Sequence, residues 1–407
     1  MTEHGRIGEI SDLVTKGTTP TTIGRRFTHR GIKFIKVETV APDGHFIVGR
    51  EAHIDPETNA ILRRSQLAEG DILFSIAGAL GRSTIVDASW LPANTNQAFA
   101  IIRPSRRRKD VDPQFLLWQL RGPIVARTIA EINVQAAQAN LSLAQVRNLE
   151  IPIAPLPEQR AIARVLDDVN GYVAVLKRLI AKKEALKQGI MKLLLTGTSR
   201  LPGFSDSWQE SAIADLTDIV SGGTPKSSVP AYWDGDIMWC TPTDITREPS
   251  RYLRKTERKI SRSGLRHSAA RLLPTGSLLL CTRATIGEIK IASCPVATNQ
   301  GFKSLVPKHH VSNEFLYYKM LMLKEMLFGL GTGSTFLEVS KRDVAGLRLD
   351  VPPLEEQAAI ATVLTNVDNE IDALRVRLAK AKAIKQGMMQ QLLMGRTRLP
   401  VMDEVTA

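Results

Sequence analysis

The sequence predicts an α+β protein built as a tandem repeat: two globular domains, each followed by a long helix, with the two helices paired antiparallel as a coiled coil. Three observations predict it. The stretch from Glu158 to Pro202 returns from Glu356 to Pro400 at one constant shift and without a gap. Upstream of each copy, short apolar runs and Gly/Thr/Pro-rich loops repeat more loosely. Each near-identical stretch also carries one narrow apolar stripe at helical spacing, which demands a partner. The organisation is residues 1–153, first globular domain; 154–203, central helix; 204–351, second globular domain; 352–400, second long helix; and 401–407, a tail. A pseudo-two-fold axis relates the halves.

In the first domain, "DILFSI" reads as a buried strand after a tight turn at Gly70, and "DPQFLLWQL" as a helix capped by Asp112. After "IPIAPLPEQ", proline and glycine vanish apart from Gly171 and Gly189. Apolar residues recur at Leu166, Val169, Val173, Leu176, Ile180, Leu186, Ile190 and Leu194, with a start at Pro157-Glu158 and a stop at Gly197. The second domain repeats the layout. "SLLLCT" is a strand after Gly276, Ser261 caps "RSGLRHSAARLL", and Ser312 caps "SNEFLYYKMLMLKEM". Its helix carries Leu364, Val367, Ile371, Leu374, Leu378, Ala381, Ile384, Met388 and Leu392, and stops at Gly395. Each helix runs about 35 residues, or roughly 50 Å at 1.5 Å per residue. Gly189 and Gly387 interrupt the pattern at matching positions. A glycine inside a helix costs about 1 kcal/mol against alanine, so both predict a close helix contact.

Composition bounds the function. A chain of 407 residues, 43% apolar, suits two or three domains. No apolar run is long enough for a membrane span, and "MTEHGRIGEI" lacks the apolar core of a signal peptide, so a cytoplasmic protein with no membrane partner is expected. Cys240, Cys281 and Cys294 are odd in number and lack metal-ligand spacing, which argues against disulfides and structural zinc. A net charge of +13 and a pI near 9.7 point to a polyanionic partner.

Basic residues crowd the loops of both domains. Candidate DNA-contacting residues in the first are Lys16, Thr18, Thr19, Arg25, Arg26, Lys33, Lys36 and Arg82. In the second they are Gly223, Thr224, Lys226, Thr243, Arg247, Arg283, Gly333, Ser334 and Thr335. Lysine and arginine neutralise phosphates, and arginine also reads guanine edges.

No catalytic, cofactor or metal site emerges. There is no phosphate loop, and "GLGTGS" follows a helix and reads as a turn. The Asn-Pro-Pro-aromatic motif of amino-methyltransferases is missing. Asp244 with Glu257-Arg258-Lys259 only loosely imitates a nuclease set, and His309-His310 lacks a carboxylate or cysteine partner.

Several motifs carry a resemblance that covers nearly the whole chain. They are "PLPEQRAIARVLD" and "PPLEEQAAIATVL", the two stretches from Lys187-Gln188-Gly189 and Lys385-Gln386-Gly387 to "RLP", and "GGTP", "RATIG" and "TNQGF". In these the chain resembles the specificity subunit of type I restriction-modification enzymes. The resemblance implies two target recognition domains, each reading one half of a bipartite, asymmetric double-stranded DNA site. It implies helices that set the gap and dock two methyltransferase subunits, through which restriction and motor subunits join. It also implies no catalysis and no cofactor in this chain; S-adenosylmethionine, ATP and Mg2+ belong to the partners. The first domain departs from the pattern, with "SIAGALG" for "TRATIG" and "KGTTP" for "GGTP". The alternatives are a stand-alone DNA-binding protein, such as a regulator, or a nuclease acting on DNA.

Overall fold

A computed structural model describes residues 3–400 except 109, 134–139 and 333–336. The chain divides into two units, Met1–Arg178 with Arg375–Ala407, and Leu179–Leu374. The long helices are Leu156–Leu195 and Leu354–Leu392, of 40 and 39 residues. The division falls inside both, so each unit owns the beginning of one helix and the end of the other.

In the first unit, Ser11–Lys16, Phe99–Pro104, Ile72–Ser75 and Ser83–Ile85 form an antiparallel sheet in that order. A second sheet orders Ala52–Ile54, Ile32–Ile35 and Ala93–Thr95, the last pair parallel. The second unit repeats this. Thr217–Ser221, Lys303–Pro307, Leu278–Leu280 and Ile289–Ala292 are antiparallel neighbours, with Tyr252–Leu253 added parallel at the edge. Its small sheet is Arg258–Ile260, Trp233–Cys240 and Val296–Thr298, again with a parallel last pair. Both expected strands form, and Asp112, Ser261 and Ser312 each cap a helix by accepting from a backbone N–H.

Two helices are shorter than the sequence pattern suggests. The helix capped by Ser261 stops at Arg266, and Ala269 and Ala270 then pack under Gly223, where no room exists for a Cβ. "SNEFLYYKMLMLKEM" breaks at Leu323 into Asn313–Met322 and Lys324–Gly329.

The repeated motifs explain how each sheet pair is joined to helix. In the first unit, Phe115 and Trp118 bury against Ile162, Ala163 and Leu166 from the start of the central helix and Leu392 and Leu393 from the end of the second. In the second unit, Phe315 and Tyr318 share a core with Ile360, Ala361 and Leu364, and with Leu194 and Leu195. Within each unit the helices run antiparallel. Asn170 meets Lys385 and Glu158 meets Arg398 in one; Lys187 meets Asp368 and Arg200 meets Glu356 in the other.

The polar contacts recur as matched pairs. The Gln159 side chain accepts from Asp112 N at 2.8 Å and donates to the carbonyls of Asp110 and Ala154, both at 2.7 Å. Gln357 accepts from Ser312 N at 2.8 Å and donates to the carbonyls of His310 and Pro352. Lys385 lies 4.8 Å over the Trp118 ring, as Lys187 lies 5.4 Å over Tyr318. Glu-Gln at the start of each helix, the lysine of Lys-Gln-Gly and the arginine of Arg-Leu-Pro just past its end therefore grip a domain. Gly197 and Gly395 take left-handed φ values of 70° and 67° and end the helices as expected.

The predicted stripe needs two corrections. Leu166, Val173, Leu176, Ile180, Leu364 and Ile371 are buried, and Val169, Ile190, Val367, Leu374, Leu378 and Met388 are partly so. Leu186 and Ile384, at 52% and 56% exposure, face outward. The inward position one residue on belongs to Lys187 and Lys385, whose long stems cover apolar surface while their ammonium groups find partners. Gly189 and Gly387 also overturn their expectation. Both are exposed, and a Cβ built on either meets nothing within 4 Å beyond its own helix.

Candidate nucleic-acid interface

In each domain the chain crosses from the small sheet to the large one through a three- to four-residue loop: residues 96–98 after Thr95, and 299–302 after Thr298. The loop that follows the edge strand of the large sheet packs on this crossing. Gly17 and Gly222 are required there, since a Cβ would sit 2.1 Å from the Thr95 carbonyl oxygen or 1.9 Å from that of Asn299. Thr18 N donates to the Thr95 carbonyl at 3.1 Å, and Gly223 N to that of Thr298 at 2.8 Å.

A third loop, residues 76–82 or 282–288, lies beside them. Ile76 N donates to the Ala98 carbonyl at 2.8 Å, and Thr282 N to the Gly301 carbonyl at 2.9 Å. "SIAGALG" and "TRATIG" adopt one backbone shape despite their different residues. Gly78 has φ 75° and Ala284 has φ 63°; Gly81 has φ 76° and Gly287 φ 84°. Ala284 thus holds a left-handed conformation that costs an L-residue about 1 kcal/mol. Into this surface the second domain brings Arg283, whose backbone bridges Glu338, where the first domain has Ala77.

The Thr-Asn-Gln motif resolves into separate jobs. Thr95 and Thr298 are buried. The Asn96 and Asn299 side chains accept from Ala98 N at 3.2 Å and Gly301 N at 2.9 Å, closing the turn. Gln97 and Gln300 are exposed, and their carbonyl oxygens accept from the hydroxyls of Thr19 and Thr224. The motif was legible in the sequence; the pairing of these glutamines with the threonines was not. Arg64, also missed, reaches the Thr18 hydroxyl at 3.4 Å.

The nominated basic residues split into two groups. Arg82 is a brace: it donates to the carbonyls of Val37 and Val40 at 3.1 and 2.7 Å. Lys33 donates to the Ser89 carbonyl and covers Trp90, Lys36 lies 4.4 Å over Phe27, Arg25 pairs with Glu57 and Arg247 with Glu257. Lys16, Arg26, Lys226 and Thr243 are exposed. Gly333, Ser334 and Thr335 lie outside the described residues.

The nuclease-like set is a helix cap. Asp244 accepts from Thr241 N, the Thr241 hydroxyl and Glu257 N at 2.7–2.8 Å. Burial pushes the Cys281 thiol up to about 12 and that of Cys240 higher, so neither is a thiolate at neutral pH. Among the described residues no cluster of His, Cys, Asp and Glu could hold a metal ion, and no helix is long and apolar enough to cross a membrane.

Two copies of one α+β domain, each presenting a basic, loop-built surface and each gripped by paired helices, define a two-part nucleic-acid recognition protein. The chain belongs to the family of type I restriction modification DNA specificity domains, whose model matches residues 3–185 and again 205–383. Residues of this chain are 37% identical over 167 positions to the type I restriction enzyme MjaIX specificity subunit of Methanocaldococcus jannaschii, covering 40% of this chain and 39% of that one. The putative MjaX specificity subunit of the same organism is 23% identical over 98% of this chain and 94% of its own. Two solved structures share the fold. The type I restriction-modification S subunit from M. genitalium has a TM-score of 0.62 at 14% identity, covering 97% of this chain and 96% of its own. A chain from work on complex assembly of the type I R-M system has a TM-score of 0.59 at 19% identity, covering 97% and 98%.

Proposed function

We propose that this chain is the non-catalytic reader of a type I restriction-modification complex, each domain recognising one half of a bipartite, asymmetric DNA site. One observation carries the reading: the two domains repeat the same loop hydrogen bonds with different side chains on them. A symmetric reader would present two identical surfaces to a palindrome. One backbone surface carrying Arg283 in one copy and Ala77 in the other suits two different half-sites.

The long helices set the number of base pairs between the halves and dock two methyltransferase subunits. Support for docking comes from matching positions on the two helices that folding does not use. Leu186, Gln188 and Gly189, and their counterparts Ile384, Gln386 and Gly387, are exposed. One surface presented twice suits two copies of one partner. The S-adenosylmethionine, ATP and Mg2+ chemistry belongs to the methyltransferase and to the restriction subunits that join through it, in the cytoplasm. The use of Asp244 as a cap speaks against the nuclease alternative.

The test is a domain exchange. Residues 204–351 are replaced by the matching segment of another family member in a host carrying the complete system, and methylated adenines are mapped. One half-site changes while the other half and the gap persist. A change in both halves, or DNA cleavage by the purified chain with magnesium alone, refutes the assignment.

A further inference from the structure

Gln97 and Gln300 occupy the same place in two domains whose neighbouring loops, "SIAGALG" and "TRATIG", have diverged. Their neighbours in the motif have folding roles: the threonine is buried and the asparagine closes the turn. The glutamines are exposed, and neither supports a core. Each has its carbonyl oxygen engaged by a hydroxyl from the adjacent loop, Thr19 or Thr224. That hydrogen bond fixes which way the amide points and leaves its NH2 group as the outward-facing donor.

A base-reading glutamine pairs with adenine through both its oxygen and its nitrogen. Here a threonine hydroxyl takes one of the oxygen's two lone pairs in both copies and sets the amide's orientation from the protein side, so the amide is not free to turn both atoms to one base edge. A fixed, outward NH2 instead matches an acceptor-only ligand. The non-bridging oxygens of a phosphodiester are such acceptors, and they are common to every half-site whatever its sequence. Two domains that read different bases still meet the same backbone, so a feature kept in both fits the backbone.

We propose that Gln97 and Gln300 are paired phosphodiester anchors, aimed by Thr19 and Thr224, that seat each domain on the DNA backbone without reading sequence. This rests on the DNA-reading assignment above. The anchors are neutral, so they position the duplex without releasing counterions.

The experiment uses the full chain and a library of randomised duplexes, with affinity and enriched sequence measured together across a salt series. Gln300→Met and Gln97→Met preserve size and remove the donor. Each is expected to weaken binding about tenfold, the scale of one hydrogen bond to a charged acceptor. The loss is equal for enriched and scrambled duplexes, both enriched half-sites are unchanged, and so is the salt slope. Thr224→Val is a positioning variant: it frees the amide and gives a smaller, equally sequence-independent loss, and it adds little on top of Gln300→Met. Thermal melting of every variant at the wild-type temperature separates these losses from misfolding. An altered half-site in either glutamine variant makes that residue a base reader and overturns the proposal, as do unchanged affinities. A wild-type chain that enriches no duplex refutes the DNA-reading assignment itself, and this proposal with it.

Discussion

Replacing Gln159 tests whether the Glu-Gln motif is a clamp. The side chain is fully buried and makes three hydrogen bonds, to Asp112 N, Asp110 O and Ala154 O. Gln159→Leu keeps the volume and orphans all three partners. A net hydrogen bond contributes about 1 kcal/mol, and a buried polar group left unpaired costs roughly 1–3 kcal/mol. The Asp112 side of the loop lies near solvent, so water recovers part of this, and a loss of about 3 kcal/mol is expected. At roughly 2–4 °C per kcal/mol for a unit of this size, the melting transition falls by about 6–12 °C. Gln159→Glu sharpens the argument. A carboxylate still accepts from Asp112 N but faces two carbonyl oxygens with no proton to offer, so its pKa is raised in the folded state. The penalty is then small below the unfolded value of about 4.3 and grows as pH rises through the folded one. Urea titrations from pH 4 to 8 measure both variants. A loss under about 1 kcal/mol for Gln159→Leu, or a pH-independent Gln159→Glu, refutes the clamp.

Other perturbations follow the same logic. Gly189→Ala and Gly387→Ala have free space for the new Cβ; each stabilises the isolated chain by about 1 kcal/mol, read by denaturation, and weakens co-purification with the methyltransferase. Burial on the helix Asn313–Met322, against Trp208 and Phe315, pushes the Lys319 ammonium down to about 8. The unfolded chain therefore binds the proton more tightly above that pH, stability rises between about 8 and the ordinary lysine value, and Lys319→Met abolishes the rise. In the native protein a thiol reagent labels the partly exposed Cys294 first, with the buried Cys240 and Cys281 reacting only after unfolding, as mass spectrometry of timed samples would register.

The repeat, the long helices and their caps were legible because they rest on local signals: proline and glycine placement, capping residues and apolar period. That the helices pair followed from stripe width; their antiparallel direction lies in contacts such as Asn170 with Lys385 and Lys187 with Asp368. What the stripe could not say is where it stops being apolar. Lys187 and Lys385 take inward positions because they meet Asp368 and Asn170 on the other helix, a fact of tertiary structure. Leu186 and Ile384 were misassigned for that reason. The two glycines misled in the same way, since a helix-interior glycine signals close approach without saying whether the neighbour belongs to the same chain. In the loops, the sequence located the Gly-Thr-Pro and Thr-Asn-Gln motifs but not their contact. Charge alone could not separate Arg82, a brace, from Lys16, an exposed cation.

The first unit needs residues from the far end of the chain. Gln119 donates to the carbonyl of Leu393, 274 positions later, and Glu158 waits for Arg398, 240 positions later. At roughly 5–20 residues per second, a ribosome takes about 15–55 s to supply that partner. During this interval the face of Trp118 and Phe115 that Leu392 and Leu393 will cover stands open, while the second unit is still being synthesised. The order of manufacture is thus the reverse of the order of completion: the domain made first is sealed last. A nascent chain stalled before Lys385 would carry an uncovered aromatic surface, a mark by which a chaperone or protease could tell an unfinished molecule from a finished one.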